Sequence, residues 1–437
     1  VLRLRIVANG AALLQDVEFN KLRFYLNGES SIVGKLYEMI FASLQELAIL
    51  SEDEIKPTIL NKKNVRGVGF SMDEEVIPYP GNSHPQYRLL QEYFNFPEKF
   101  FFVDIEGLQQ KTLGRYFDLL LLFNKLPTGR LSIDQSMFQL GCTPIVNLFR
   151  KISDPIRLDY RMSEYRLSPD SRREKQTEIH SILSVSSSTD YHDVSKRLEP
   201  FFSYNHAKEY RDQQAFWHAG RQDTGRESLP GTEMFISVVD LNFKPTDPPS
   251  KTLYAHTLCT NRNLASQLPA KALLQMEEPA PIKRVYSLTK PTVQLNPPFR
   301  GDALWRLVSH LSLNYLSLSS ERTSLTAFQE ILKLYDFSNN ASIHQQIMGL
   351  VEMSVKPVMR RLGKEAWRGF CRGSEVTMTI DEDMYVGGSA FLFSAVLNRF
   401  LALYSSINSF TQLTIKSKTR SGVWKTWEPM VGENLLL

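Results

Sequence analysis

An α+β fold spread over several domains is what the 437-residue sequence predicts, and three observations carry that reading. Alternating and helical apolar spacings are mixed near the start, alternation dominates the middle, and long helical stretches return towards the end. The chain is also longer than one hydrophobic core usually serves, so two or three β-rich domains with packed helices are expected. With 42% hydrophobic, 11% aromatic and 22% charged residues, it has ordinary globular composition.

Residues 1–155 read as the first domain. LRLRIV and KLRFYL alternate as strands do, and Leu36, Ile40, Leu44 and Leu47 then fall on one helical face. VRGVGFS, FFFVDIEG and YFDLLLLFN read as strands, with a helix at HPQYRLLQEYF. The chain starts VLRLRIVANG, in mid-alternation and without Met, from which a missing N-terminal segment is expected. Residues 156–285 form a second, β-rich domain: EIHSILSVSSS, QQAFWHAGR, EMFISVVDLNF and TLYAHTLCTNR are separated by polar loops, which predicts a sandwich or barrel. Prolines crowd between Pro269 and Pro298, marking an extended connector.

Residues 286–437 form the third domain. It holds helices at ALWRLVSHLSLNYLSL and SLTAFQEILKLYDF, strands at VEMSVKPVMRRL and CRGSEVTMTID, a long helix from Ser389, and a closing hairpin. The apolar run Phe391–Ile407 has Asn398 and Arg399 near its centre, so it reads as a buried helix and not a membrane span. On a helical wheel its wide apolar face faces the core. The opposite side is mostly small and includes Ala395 and Ala402, with Phe391 projecting from it.

The stretch NGESSIVGKLY places glycines and a Gly-Lys pair between a strand and a helix, the layout of a phosphate-cradling loop. A nucleotide-binding enzyme using Gly28–Lys35 is therefore the alternative function. The detail disagrees: five residues separate Gly28 from Gly34 where the motif has four, and Leu36 replaces the magnesium-binding hydroxyl. The simpler reading has Asn27-Gly28 turning the chain and Ser30 or Ser31 capping the helix. His310 reads as a core or interface histidine. Asp381, Glu382 and Asp383 lack the spacing of a calcium loop, so no metal site is expected. Ser374 and Ser421 adjoin glycines outside any GxSxG setting, and no cofactor or catalytic constellation is predicted.

Lys and Arg total 51 against 47 Asp and Glu, a net charge of +4, short of the dense basic face of a nucleic-acid binder. The basic clusters at Arg157–Lys175 and in KSKTRSGVWK read as charged surface and a charged hairpin, and no nucleic-acid partner is expected. Cys142, Cys259 and Cys371 have no paired spacing, which suits free thiols in a reducing compartment.

Four long segments give a more specific pointer. EYFNFPEKFFFVDIEGL, CTPIVNLFRKISDPIRLDY, ALWRLVSHLSLNYLSL and the closing AVLNRFLALYSSINSFTQL with PMVGENLLL resemble, in this order, the TssF family (also called VasA or ImpG), baseplate subunits of the bacterial type VI secretion system. The resemblance implies a non-enzymatic structural subunit, similar in fold to the wedge proteins of contractile phage baseplates, with residues 1–155 as a wing-like domain and 286–437 as the assembly domain. It implies a TssG-like partner and a second copy of the chain, with TssK, TssE and the VgrG spike in the assembled baseplate. The expected location is the cytoplasm, docked at the inner-membrane complex through the baseplate and without membrane insertion. From the residues themselves, the small face of the Ser389 helix is expected to receive another element, from the same domain or from a neighbouring subunit, and Phe391, Ala395, Ala402, Trp424 and Trp427 are the residues expected at a subunit interface.

Overall fold

A computed structural model describes residues 1–10, 13–17, 19–79, 85–108, 114–125, 131–159, 161–188, 196–203, 216–239, 252–296, 298, 301, 304–305, 308, 321–338, 340–361, 370–403 and 409–431. Two compact units divide the chain: one combines Val1–Ile145 with Trp305–Leu437, and the other is Val146–Leu304. The first and third segments expected from sequence therefore share one unit, because helices from both bury their apolar faces against each other.

In the first unit, strands β1 (Leu2–Val7), β2 (Lys21–Leu26), β3 (Leu44–Ser51), β4 (Thr58–Leu60), β5 (Val65–Gly67), β6 (Phe102–Glu106), β7 (Tyr116–Phe123) and β8 (Phe138–Leu140) make two antiparallel sheets, ordered β1-β7-β3-β4 and β5-β6-β2-β8. Each sheet is tied by a buried aspartate that faces cations on neighbouring strands. Asp118 on β7 receives Arg3 at 2.5 Å and Arg5 at 2.9 Å from β1. Asp104 on β6 receives Arg23 at 2.7 Å from β2 and Arg66 at 3.5 Å from β5.

Helix α1 (Ser30–Ala42) buries Leu36, Tyr37 and Ile40, and α2 (Pro85–Asn95) buries Leu89, Leu90, Tyr93 and Phe94. The helical face expected to run on through Leu44 and Leu47 stops at Ala42. Both leucines belong to β3, opposite Phe123 and Leu121 of β7. Pairing with β4 and β7 on two edges satisfies the backbone of LQELAILS more fully than a last helical turn would, so tertiary context overrides the local spacing.

The second unit contains β9 (Phe149–Ile152), β10 (Ile156–Arg157), β11 (Tyr165–Leu167), β12 (Glu178–Ser188), β13 (Lys196–Pro200), β14 (Phe216–Asp223), β15 (Thr232–Val239) and β16 (Thr252–Thr260). They form an eight-stranded sheet ordered β10-β16-β12-β13-β14-β15-β11, with β9 also on β16. Ile179, Val185, Leu253 and Cys259 from one half share a core with Tyr165, Leu167, Trp217 and Ile236 from the other. The sheet is thus folded over its own core, as the alternating strands predicted. Within the proline-rich stretch only β17 (Leu273–Leu274) and β18 (Val285–Tyr286) pair among the described residues.

The C-terminal part of the first unit supplies α3 (Glu321–Lys333), α4 (Ala341–Met348), β19 (Leu350–Arg361), β20 (Phe370–Ile380), α5 (Ala390–Leu403), β21 (Ser409–Ser417), β22 (Val423–Thr426) and β23 (Met430–Val431). The sheet runs β19-β20-β21-β22, with β23 also on β21. β20 and β21 are parallel and joined through α5, the crossover a parallel pair requires. Most of ALWRLVSHLSLNYLSL, including His310, lies outside the described residues. No described helix is long and apolar enough to cross a membrane.

Candidate functional site

Helix α5 is the hub of the first unit. Its wide face buries Leu392, Phe393, Val396, Leu397, Phe400 and Leu401, and the small side is covered too, at Ser394, Asn398 and Ala402. Ala395 is half-buried and Arg399 is exposed, its guanidinium 6.0 Å from the Phe70 ring centre. Phe393 stacks on Tyr93 of α2 at 5.1 Å, with Phe94 at 5.9 Å and Tyr385 at 6.0 Å.

The residues expected at a subunit interface gather at the start of this helix and beside it. Phe391 lies 5.8 Å from Trp427, 6.1 Å from Trp424 and 6.3 Å from Tyr37 of α1, and is only 2% exposed. Ala402 is likewise 2% exposed. The structure brings Phe391, Trp424 and Trp427 together, but as an aromatic cluster joining the two chain segments of one unit. Ala395, Trp424 and Trp427 are half-buried.

Beside the cluster, the β21–β22 hairpin is tied down by charge. Arg420 meets Glu38 of α1 and Glu382, each at 2.5 Å, and lies 4.3 Å over the Trp424 ring. Trp424 Nε1 donates to the same Glu38 carboxylate at 2.9 Å. Burial alone would lower the Arg420 pKa, but the two carboxylates outweigh it and hold the guanidinium above its usual value. Lys418 pairs with Asp381 at 2.6 Å, and Ser417 Oγ donates to Glu382. Lys425 Nζ donates to the Phe41 carbonyl at 2.9 Å, in the last turn of α1, where a cation complements the helix dipole. Burial pulls the Lys425 pKa down, as does nearby Lys62.

Two charged segments singled out in the sequence lie in or near this network. Asp381 and Glu382 face basic side chains, and among the described residues no group of three His, Cys, Asp or Glu side chains could hold a metal ion. Of the basic residues in KSKTRSGVWK, Lys418 and Arg420 pair with carboxylates of the same unit, and Lys425 donates to a backbone carbonyl. In the other basic cluster, Arg166 pairs with Glu174, and Asp170 receives Lys151 of β9 at 2.6 Å.

The glycine-rich stretch is not a phosphate cradle. Helix α1 already begins at Ser30, so Gly34 and Lys35 lie in its second turn. The amides of Ile32 and Val33 bond to the Glu29 carbonyl at 2.9 Å, leaving them unavailable to an anion. The N-cap position is Glu29, not Ser30 or Ser31, and Ser31 Oγ donates to the Glu29 carboxylate at 2.8 Å. Gly34 is there for packing: a Cβ at that position would sit 2.9 Å from Ser389 Cβ. Lys35 points into solvent.

A buried ion pair joins α2 to the turn that follows it. Lys99 and Glu92 pair while both are 1% exposed, and Glu92 also accepts the Val76 amide at 2.9 Å. Burial lowers the Lys99 pKa in spite of Glu92. In the other unit, buried Glu178 accepts from Thr232 N at 2.8 Å and Arg262 at 3.1 Å. Sequence reasoning missed all of these pairs, because each joins residues with no local pattern in common.

The described clusters thus hold strands and helices to one another. Comparison with known proteins supplies the family. The family model described as Type VI secretion system, TssF, matches residues 1–434. The chain is 31% identical over 449 aligned positions to the type VI secretion system component TssF1 of Pseudomonas aeruginosa strain PAO1, covering 99% of this chain and 72% of that protein. The chain belongs to the TssF family of the type VI secretion system. In fold it is similar to a chain of the TssK-TssF-TssG baseplate subcomplex of a type VI secretion system, with a TM-score of 0.76, 24% identity and coverage of 98% of this chain and 77% of that one. A chain of a type VI baseplate complex also matches, with a TM-score of 0.54, 22% identity and coverage of 96% and 71%.

Proposed function

We propose that this chain is a structural, non-enzymatic subunit of a type VI secretion baseplate wedge. The observation that carries the reading is the family match across residues 1–434, supported by agreement in fold over 98% of the chain with a component of a TssK-TssF-TssG baseplate subcomplex. In this role the chain pairs with a TssG-type subunit and a second copy of itself, and TssK, TssE and the VgrG spike join in the assembled baseplate. The wedges form the platform for tube and sheath, on the cytoplasmic side of the inner-membrane complex.

Half-buried Trp424, Trp427 and Ala395 are candidate contacts in that assembly. The tightly tied hub around α5 suits a subunit that carries load between neighbours, since its charges and rings lock two distant chain segments into one unit. The test is co-purification of the tagged chain with the TssG- and TssK-type subunits of its own system. Two copies of the chain per TssG-type subunit are expected. A chain that stays free when all the subunits are co-produced would overturn the proposal.

A further inference from the structure

The proline-rich stretch of the second unit forms an arm without a core of its own. Its root is closed by Gln294, whose amide donates to Asn263 Oδ1 at 3.3 Å and whose side chain bonds to Glu178 at 2.9 Å and to Thr260 at 2.7 Å. Between those ends the chain runs out and back as the β17–β18 ribbon, where the Lys271 amide donates to the Ser287 carbonyl at 2.8 Å. None of residues 263–296 is buried. Exposure alternates along the ribbon. Lys271, Leu273 and Gln275 therefore share an outer face with Arg284 and Tyr286, while Leu274 and Val285 are half-buried on the inner one. Leu273 and Tyr286 stand directly opposite each other and are 68% and 51% exposed. Met276 and Ile282, in the loop that joins the two strands, are 45% and 55% exposed. Neither Lys271 nor Arg284 has an ion-pair partner among the described residues.

We propose that the outer face of this ribbon docks on a different subunit of the assembly, in an apolar slot whose rim is acidic. The inference rests on the assembly role proposed above. Fixing each backbone residue costs conformational entropy that burial ordinarily offsets, and an isolated two-stranded ribbon is marginal in water. No described residue of the chain buries the arm, so the offset comes from a surface outside it. Charge selects the occupant. Lys271 and Arg284 border the Leu273–Tyr286 pair on its own face, and an acidic rim gives each a counter-charge. Pairing of two arms from two copies of the chain would gather the cations of both in one interface, with no anion on either outer face. An anionic lipid surface would meet Glu277 and Glu278, fully in the open beside Met276 in the joining loop. Tyrosine and arginine side by side are residue types enriched at interfaces between proteins.

The full chain is co-produced with the TssG- and TssK-type subunits of its system, and affinity and amide hydrogen exchange are measured at low and high salt. Leu273→Ser with Tyr286→Ser should weaken binding to one of those subunits at least about tenfold, with the thermal midpoint of the free chain unchanged. Arg284→Glu should weaken it mainly at low salt, and Ile55→Ser, at an exposed turn of the other unit, should be neutral. Amides of residues 271–287 should exchange fast in the free chain and at least about tenfold more slowly on assembly. Unchanged affinity of the double variant overturns the inference while leaving the assembly role standing, and so does arm exchange that assembly leaves unaltered. Failure of the unaltered chain to assemble removes both. Should the double variant misfold, a photo-crosslinking phenylalanine analogue at Tyr286 decides. A crosslink to an acidic-flanked apolar segment of a TssG- or TssK-type subunit supports docking. A crosslink to a second copy of the chain alone, no crosslink in the assembled complex, or arm-dependent binding to anionic vesicles in its place, overturns it.

Discussion

Replacing Phe391 by alanine should destabilise the first unit of the free chain by about 3–5 kcal/mol. The ring is 2% exposed and is walled by Trp427, Trp424 and Tyr37 at 5.8, 6.1 and 6.3 Å between centres. Its loss forfeits the transfer free energy of the ring and leaves a cavity. The cavity has three aromatic walls, and two of them are held in place: Trp424 is bonded to Glu38, and Tyr37 sits within α1. Walls of this kind collapse poorly, which puts the effect in the upper part of that range. Phe391→Leu keeps much of the volume and should lose about 1.5 kcal/mol. The assay is urea unfolding of the isolated chain followed by tryptophan fluorescence, where Trp424 and Trp427 report directly on the affected spot. Because the chain has two compact units, its unfolding is not expected to be one two-state transition, and the loss should fall on the unit containing α5. A change below about 1 kcal/mol in the free chain, together with weakened subunit assembly, would refute the core assignment and make Phe391 an interface residue.

Three further outcomes follow from the same structure. Lys35→Ala should leave assembly and nucleotide response unchanged, since the side chain is exposed in the second turn of α1; saturable ATP binding that depends on Lys35 would contradict this. Alkylation without reductant should modify all three cysteines of the unfolded chain. In the native chain Cys259, fully buried and with its thiol pKa raised by burial, should react last, and a mass shift on reduction would contradict the free-thiol assignment. Burial alone would raise the Asp104 pKa, but Arg23 and Lys21 bring it below the ordinary carboxylate value, so its contribution to stability is complete above about pH 4 and lost as pH falls further. Asp104→Asn should therefore lower stability at pH 7 and flatten the acid limb of a pH titration of the thermal midpoint, and an unchanged acid limb would remove Asp104 as its cause.

Most element types were legible in the sequence because their signal is local. The alternation of LRLRIV, the wide apolar face of the Phe391 helix and the hairpin in KSKTRSGVWK each depend on neighbours a few residues away. The family resemblance was legible for a related reason: long idiosyncratic segments survive as sequence whatever they touch. The failures were at the boundaries and at long range. Leu44 and Leu47 fit a helical spacing, yet hydrogen bonding to two flanking strands made them part of β3. Gly34 and Lys35 mimicked a phosphate loop, and only the position of Ser389 against α1 shows why a glycine is needed there. Glu38 and Arg420 stand 382 residues apart, so no pattern within either segment could announce their pairing. The sequence by itself determined which segments are strands or helices and which family the chain resembles, since periodicity and residue identity are properties of the chain. Tertiary structure alone decided that residues 1–145 and 305–437 form one unit, and that Phe391 lies inside it while Met359 and Phe370 stand outside. Burial is set by what the rest of the fold places over a side chain, and that depends on contacts between distant segments.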